Sequence, residues 1–201
     1  VGGSLPAPAC MPTCLLGEAG PEASRPGGAM RCSSPMTDET RKERLREALG
    51  QVFEAGGGEP LLESRFLALI TLDSDTRLGL DVEARWVIAP ADGREPFRCE
   101  PGSEHALYEV LESKRNVFEE RLTEGALQHG LPSDDVVFAF PAIEVVRAVL
   151  SKGMAYTTRL ALLWVIPSEL RELRDDIARV SKAKETPAAL KELAERLLVP
   201  R

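Results

Sequence analysis

Leu160-Ala161-Leu162-Leu163-Trp164-Val165-Ile166 is the most apolar run in the chain, set between Tyr156 and a Pro167-Ser168 break. Its conformation decides the fold. The run has no polar–apolar alternation, so as a strand it is expected to be buried on both faces. It is far shorter than the roughly 18–20 apolar residues needed to cross a bilayer. Beyond the break the period changes. Leu170, Leu173, Ile177 and Val180 recur at spacings of three and four, one stripe of an amphipathic helix. Asp175 and Arg179 stand in the favourable order on that helix, and Arg179, Lys182 and Lys184 gather at its C-terminal end. Tyr156 to Val180 is therefore expected to be strand, tight turn, helix.

Immediately upstream, Val136 to Phe140 is a short apolar strand. Pro141 opens a helix to Lys152 that Gly153 stops. Strand, helix and strand within about thirty residues predict a parallel pair with a right-handed crossover. Nearer the N-terminus, Thr37 to Glu54 has a helical stripe (Leu45, Leu49, Val52, Phe53), with Thr40 and Glu43 spaced as a capping box. Phe66 to Leu72 reads as an interior strand. Leu78 to Ala89 alternates, with Leu78, Leu80, Trp86 and Ile88 on one face and Asp81, Glu83 and Arg85 on the other. Asp73 to Arg77 turns one into the other, giving an antiparallel hairpin. Residues 90–102 form a loop, with a short edge strand at 97–99. Ser103 caps a helix from Glu104 to about Glu124. Thr186-Pro187 starts a last one with Leu190, Leu193 and Leu197 inward. The expected class is α/β or α+β, a mixed sheet of four to five strands with helices packed on it. One antiparallel hairpin and one parallel β-α-β unit compose that sheet.

Residues 1–35 are rich in Gly, Ala, Pro and Ser without period and are expected to be a disordered tail, with Met36 as a candidate start. Residues 36–201 form the single globular domain. Leu198-Val199-Pro200-Arg201 matches a common protease-cleavage tag. The 43% apolar content suffices for one core. A formal charge of −7 argues against non-specific nucleic-acid or anionic-membrane binding, which needs clustered Lys and Arg. Arginine outnumbers lysine 19 to 6, a bias first ascribed to coding. No signal peptide is evident, so the expected compartment is a bacterial cytoplasm.

The acidic residues Asp75, Asp81 and Glu83 on the hairpin are the candidate metal ligands. Helix, hairpin, acidic strand and helix superficially resemble metal-dependent nuclease cores, which implies carboxylates holding Mg²⁺. Glu83-Ala84-Arg85 stands where those cores have acid-x-lysine, and arginine is a poor base. Turns also favour Asp. Cys10, Cys14 and Cys32 lack a fourth zinc ligand nearby, and Cys99 lacks a placed base despite His105. Trp86 and Trp164 suit a core better than a ligand platform. Arg171, Arg174 and Arg179 alternate with Glu169, Glu172 and Asp175 as on a solvated helix face.

With no convergent catalytic set and no cofactor motif, a non-catalytic protein–protein interaction module is expected, of the adaptor, chaperone, inhibitor or complex-subunit kind. Leu190, Leu193 and Leu197 of the C-terminal helices are its candidate partner-binding residues, for another protein or a second copy. The alternatives are a hydrolase or nuclease using the hairpin carboxylates, and a small-ligand sensor with a pocket near Phe140-Pro141 and Ile166-Pro167-Ser168.

Overall fold

A computed structural model describes residues 37–61 and 64–199. Helix α1 (Asp38–Glu54) opens this part of the chain. The Thr37 hydroxyl accepts from the Thr40 N–H at 3.4 Å, so the cap lies one turn before the expected Thr40. Leu45 and Leu49 are fully buried.

Five antiparallel strands follow in sequential order: β1 (Glu59–Leu61), β2 (Ser64–Thr71), β3 (Arg77–Asp81), β4 (Trp86–Ala89) and β5 (Phe97–Arg98). The expected long strand 78–89 is thus two strands. Both hairpins around β3 use one loop design. The Leu72 N–H donates to Thr76 O and the Asp75 N–H returns to Leu72 O; Asp81–Arg85 and Ala84–Asp81 repeat the pair. Each loop ends on a left-handed residue, Asp75 (φ 63°) and Ala84 (φ 58°). That is the three-residue loop whose backbone twist suits antiparallel strands.

Leu67, Leu78, Leu80, Trp86 and Ile88 form the face that meets the helices. Phe66, Val87 and Ala89 form a small cluster on the reverse face. The β2–β3 register shifts between Ala68 and Ile70. At Gly79, opposite Ala68, a Cβ would lie 2.0 Å from Leu67 O.

A 3₁₀ segment (Glu104–Glu112) leads into α2 (Arg115–Gln128), α3 (Ser133–Ala139), α4 (Ala142–Lys152) and α5 (Ala155–Trp164). A short 3₁₀ turn (Pro167–Glu169), α6 (Leu170–Lys182) and α7 (Ala188–Leu198) complete the described chain. Helix α2 comes so close to the sheet that a Cβ on Gly125 would lie 2.1 Å from Leu69 O. Four rings join the layers: Trp86, Phe118, Phe140 and Trp164, with Phe118–Phe140 at 4.7 Å and Phe118–Trp164 at 5.3 Å between centroids. Both indoles are core, as expected, and their N–H groups donate to Ala139 O (2.9 Å) and Ser113 O (2.6 Å).

The fold is α+β, and the parallel β-α-β unit is a correction. Val136–Phe140 lies in and just past α3, and the run at 156–166 is mostly α5. In α5 Thr157, Thr158, Ala161, Leu162 and Trp164 are buried along one arc, a 3.6-residue period. Hydrophobicity hides that period, because Leu160 and Leu163 on the other arc are apolar too. The expected helix 104–124 is also broken, at Ser113-Lys114. Helices α4, α6 and α7 and strand β5 fall where the sequence places them.

The tail and start expected within residues 1–36, with Cys10, Cys14 and Cys32, lie outside the described residues, as do Pro200 and Arg201. No helix among the described residues is long and apolar enough to cross a membrane.

Candidate functional site

The three hairpin carboxylates are not brought together. Asp75 holds the exposed left-handed corner of the β2–β3 loop. Asp81 is at the far end of β3, six residues on, or about 20 Å of extended chain. Glu83 is exposed in the next loop. No cluster of three or more His, Cys, Asp or Glu side chains suited to a metal occurs among the described residues. Asp81 is instead saturated. Its Oδ1 accepts the Glu83 and Arg85 N–H groups, both at 3.0 Å, and its Oδ2 accepts Arg85 Nε (2.9 Å) and Arg98 Nε (2.7 Å). Burial alone would raise the Asp81 pKa. The Arg85 N–H and the Arg98 and Arg85 guanidiniums outweigh it and hold the carboxyl below its ordinary value.

The same device recurs twice. Buried Asp135 on α3 takes Arg44 Nε (2.5 Å) and Nη2 (2.7 Å) from α1, with Arg41 at 3.7 Å. Asp176 on α6 takes Arg147 Nε from α4 (3.2 Å) and Arg179 (3.0 Å). Arg115 donates to Glu119 (2.5 Å) and Glu169 (3.1 Å), and its guanidinium lies 5.0 Å from the Trp164 ring centroid. The arginine bias therefore has a structural use. Its bidentate fork secures buried carboxylates that join separate helices and strands. Among the described residues only Arg159, Arg171, Arg174 and Arg196 lack a carboxylate or carbonyl partner.

Cys99 is half-buried, with Ser103 Oγ 3.8 Å from its sulfur. Burial raises its pKa above that of a free thiol, as do Glu104 and Glu100, while the Ser103 contact works the other way. No histidine hydrogen-bonds it among the described residues. That environment disfavours a thiolate nucleophile.

The outer arc of α5 exposes apolar side chains one turn apart. Tyr156 is 62% exposed and Leu163 59% exposed, with Leu160 part-buried between them and Arg159 alongside. Met154 precedes the arc at 60% exposure, and Tyr108 of the 3₁₀ segment is also exposed. Tyr156 Oη donates to Glu112 at 2.5 Å, a bond that raises the phenol's pKa and ties the arc to that segment. A groove of about 520 Å³ flanks the arc, floored by Leu111, Leu160, Leu163 and Ile166. Beyond Ile166, Val165 and Pro167 border a second groove of about 550 Å³ between α6 and α7.

The candidate partner-binding leucines divide. Leu190 is buried and Leu193 part-buried, both packed within this chain. Leu197 is part-buried and also lines the second groove. Of the expected sensor pocket, Phe140 is buried in the aromatic cluster, while Ile166 and Pro167 border the grooves. Sequence inspection missed the α5 arc. The available signal was the length of the run, since even its five helical residues, Leu160–Trp164, go once around the helix.

No protein-family model, curated protein or solved structure matches this chain.

Proposed function

We propose that this protein is a non-catalytic interaction module that docks a partner protein on the outer arc of α5. One observation carries the reading: a helix whose last turn, Leu160–Trp164, is apolar on every side stands at the surface with Tyr156 and Leu163 uncovered. Helices of that kind are ordinarily buried, and contiguous exposed apolar residues mark interaction surfaces. The surrounding composition suits a hot spot, with Tyr108, Tyr156 and Met154 amid polar residues. The fully paired Asp81, Asp135 and Asp176 support a scaffolding role for the buried acids.

The test is a double variant, Tyr156→Lys with Leu163→Glu, in the full chain. Proteins retained by the wild type from lysate of the source organism should be lost from the variant, whose unfolding temperature should not fall. Light scattering of the retained species separates a second copy from a different protein. An identical retained set for both chains would refute the proposal.

A further inference from the structure

The second groove differs in charge from the surface around it. It has an apolar floor that includes Val165, Leu170 and Leu197, and its rim holds Arg171, Arg174 and Arg196. Among the described residues, no acidic one lines it. None of the three guanidiniums has a hydrogen bond or ion pair among the described residues. This departs from the other described arginines, which, Arg159 apart, close on carboxylates or carbonyls. The fourth unpaired arginine, Arg159, belongs to the α5 arc. Arg171 and Arg174 are three apart on α6 and share one side of it, the side toward α7. The alternation with Glu172 and Asp175 seen in the sequence does not survive on the helix, because neither acid reaches the groove lining. In a chain of net charge −7, three cations over an apolar floor are a local reversal of sign.

We infer that this groove takes an acidic amphipathic peptide segment of the partner, its apolar side chains on Leu170 and Leu197 and its carboxylates on Arg171, Arg174 and Arg196. Guanidinium forks match carboxylates in pairs, and an apolar floor between them selects a segment over a free anion. The inference rests on the docking function proposed above. Val165 and Pro167 follow the α5 arc directly in sequence, so one segment can leave the arc and enter the groove.

The experiment is fluorescence anisotropy of the full chain with a synthetic amphipathic peptide of about five helical turns. The peptide carries Leu on one face and Glu on its flanks, and a second peptide replaces every Glu by Gln. The Glu peptide should bind. Its affinity should fall about tenfold or more for Arg171→Glu with Arg174→Glu, and likewise on raising salt from about 0.05 to 0.5 M. Equal binding of the two peptides, or binding of neither, overturns the inference. Binding of phosphatidylglycerol vesicles without the Glu peptide also overturns it and assigns the groove to a membrane surface. These arginines are exposed, so the variants should keep the wild-type unfolding temperature. Failure of the Glu peptide, with the Tyr156→Lys and Leu163→Glu variant still losing retained proteins, removes the acidic groove and leaves the α5 docking surface standing. Failure of both removes both.

Discussion

Replacing Asp81 by Asn removes a charge and almost no volume, which separates a structural anchor from a metal ligand. The wild-type carboxylate holds four donors: two backbone N–H groups at 3.0 Å and the guanidiniums of Arg85 and Arg98 at 2.9 and 2.7 Å. An Asn side chain can keep the backbone bonds through its carbonyl oxygen, but it sets an NH₂ against two cations. Losing one partner of a buried ion pair ordinarily costs about 3–5 kcal/mol. Arg85 and Arg98 remain 46% and 31% exposed, so solvent screens part of that penalty. About 2–3 kcal/mol is expected at neutral pH. The loss should depend on pH with a defined sign. The folded carboxyl titrates below its ordinary value, so its contribution is complete above the unfolded pKa of about 3.9. It disappears as pH falls through the lower folded value. Urea unfolding followed by far-UV circular dichroism should show wild type well above Asp81→Asn at neutral pH, with the gap narrowing in acid. A variant as stable as wild type at neutral pH would refute the anchor. That outcome is what an apo cage of mutually repelling carboxylates would give.

Three further outcomes follow from the packing. Gly125→Ala gains about 1 kcal/mol of helix propensity but drives a methyl into Leu69 O at 2.1 Å. A net loss of at least about 2 kcal/mol, or a fall of roughly 4–8 °C in unfolding temperature, is expected, and an unchanged value would contradict the close approach of α2. Ala84→Gly relieves a left-handed residue at φ 58°. After the entropy gained by the unfolded chain, calorimetry should show a gain of up to about 1 kcal/mol, and a clear loss would contradict the loop geometry. Leu162→Ala should cost about 2–5 kcal/mol, whereas Leu163→Glu should cost less than about 0.5 kcal/mol. Equal losses would mean that the two sides of α5 are wrongly assigned.

The sequence was most legible where polarity and period agree. Leu170, Leu173, Ile177 and Val180 mark α6 because their helix has a charged far side, and Gly153 ends α4 in the left-handed conformation (φ 70°). It was least legible at α5, where both sides are apolar and no contrast remains from which to read a period. Misassigning α5 and α3 as strands then manufactured the parallel unit. The break in 78–89 was hidden by alternation that runs through the loop, and Asp81, which accepts from Glu83 and Arg85, makes the turn there. The clamps that cross between elements, unlike the local Arg85–Asp81 and Arg179–Asp176 pairs, were invisible for another reason. Arg44 and Asp135 are 91 residues apart, and long-range pairing leaves no local mark. The Arg171–Arg174–Arg196 cluster likewise needs α6 and α7 folded together before its rim exists.

Site-specific photo-crosslinking tests the α5 surface most directly. A photoreactive phenylalanine placed at Leu163 in the full chain, expressed in the source organism, is compared with the same residue at exposed Glu47 on α1. Irradiation should join position 163 to one protein at near-stoichiometric yield and leave position 47 without that adduct. Matching adduct patterns from the two positions, or none from position 163, would contradict a docking surface on α5.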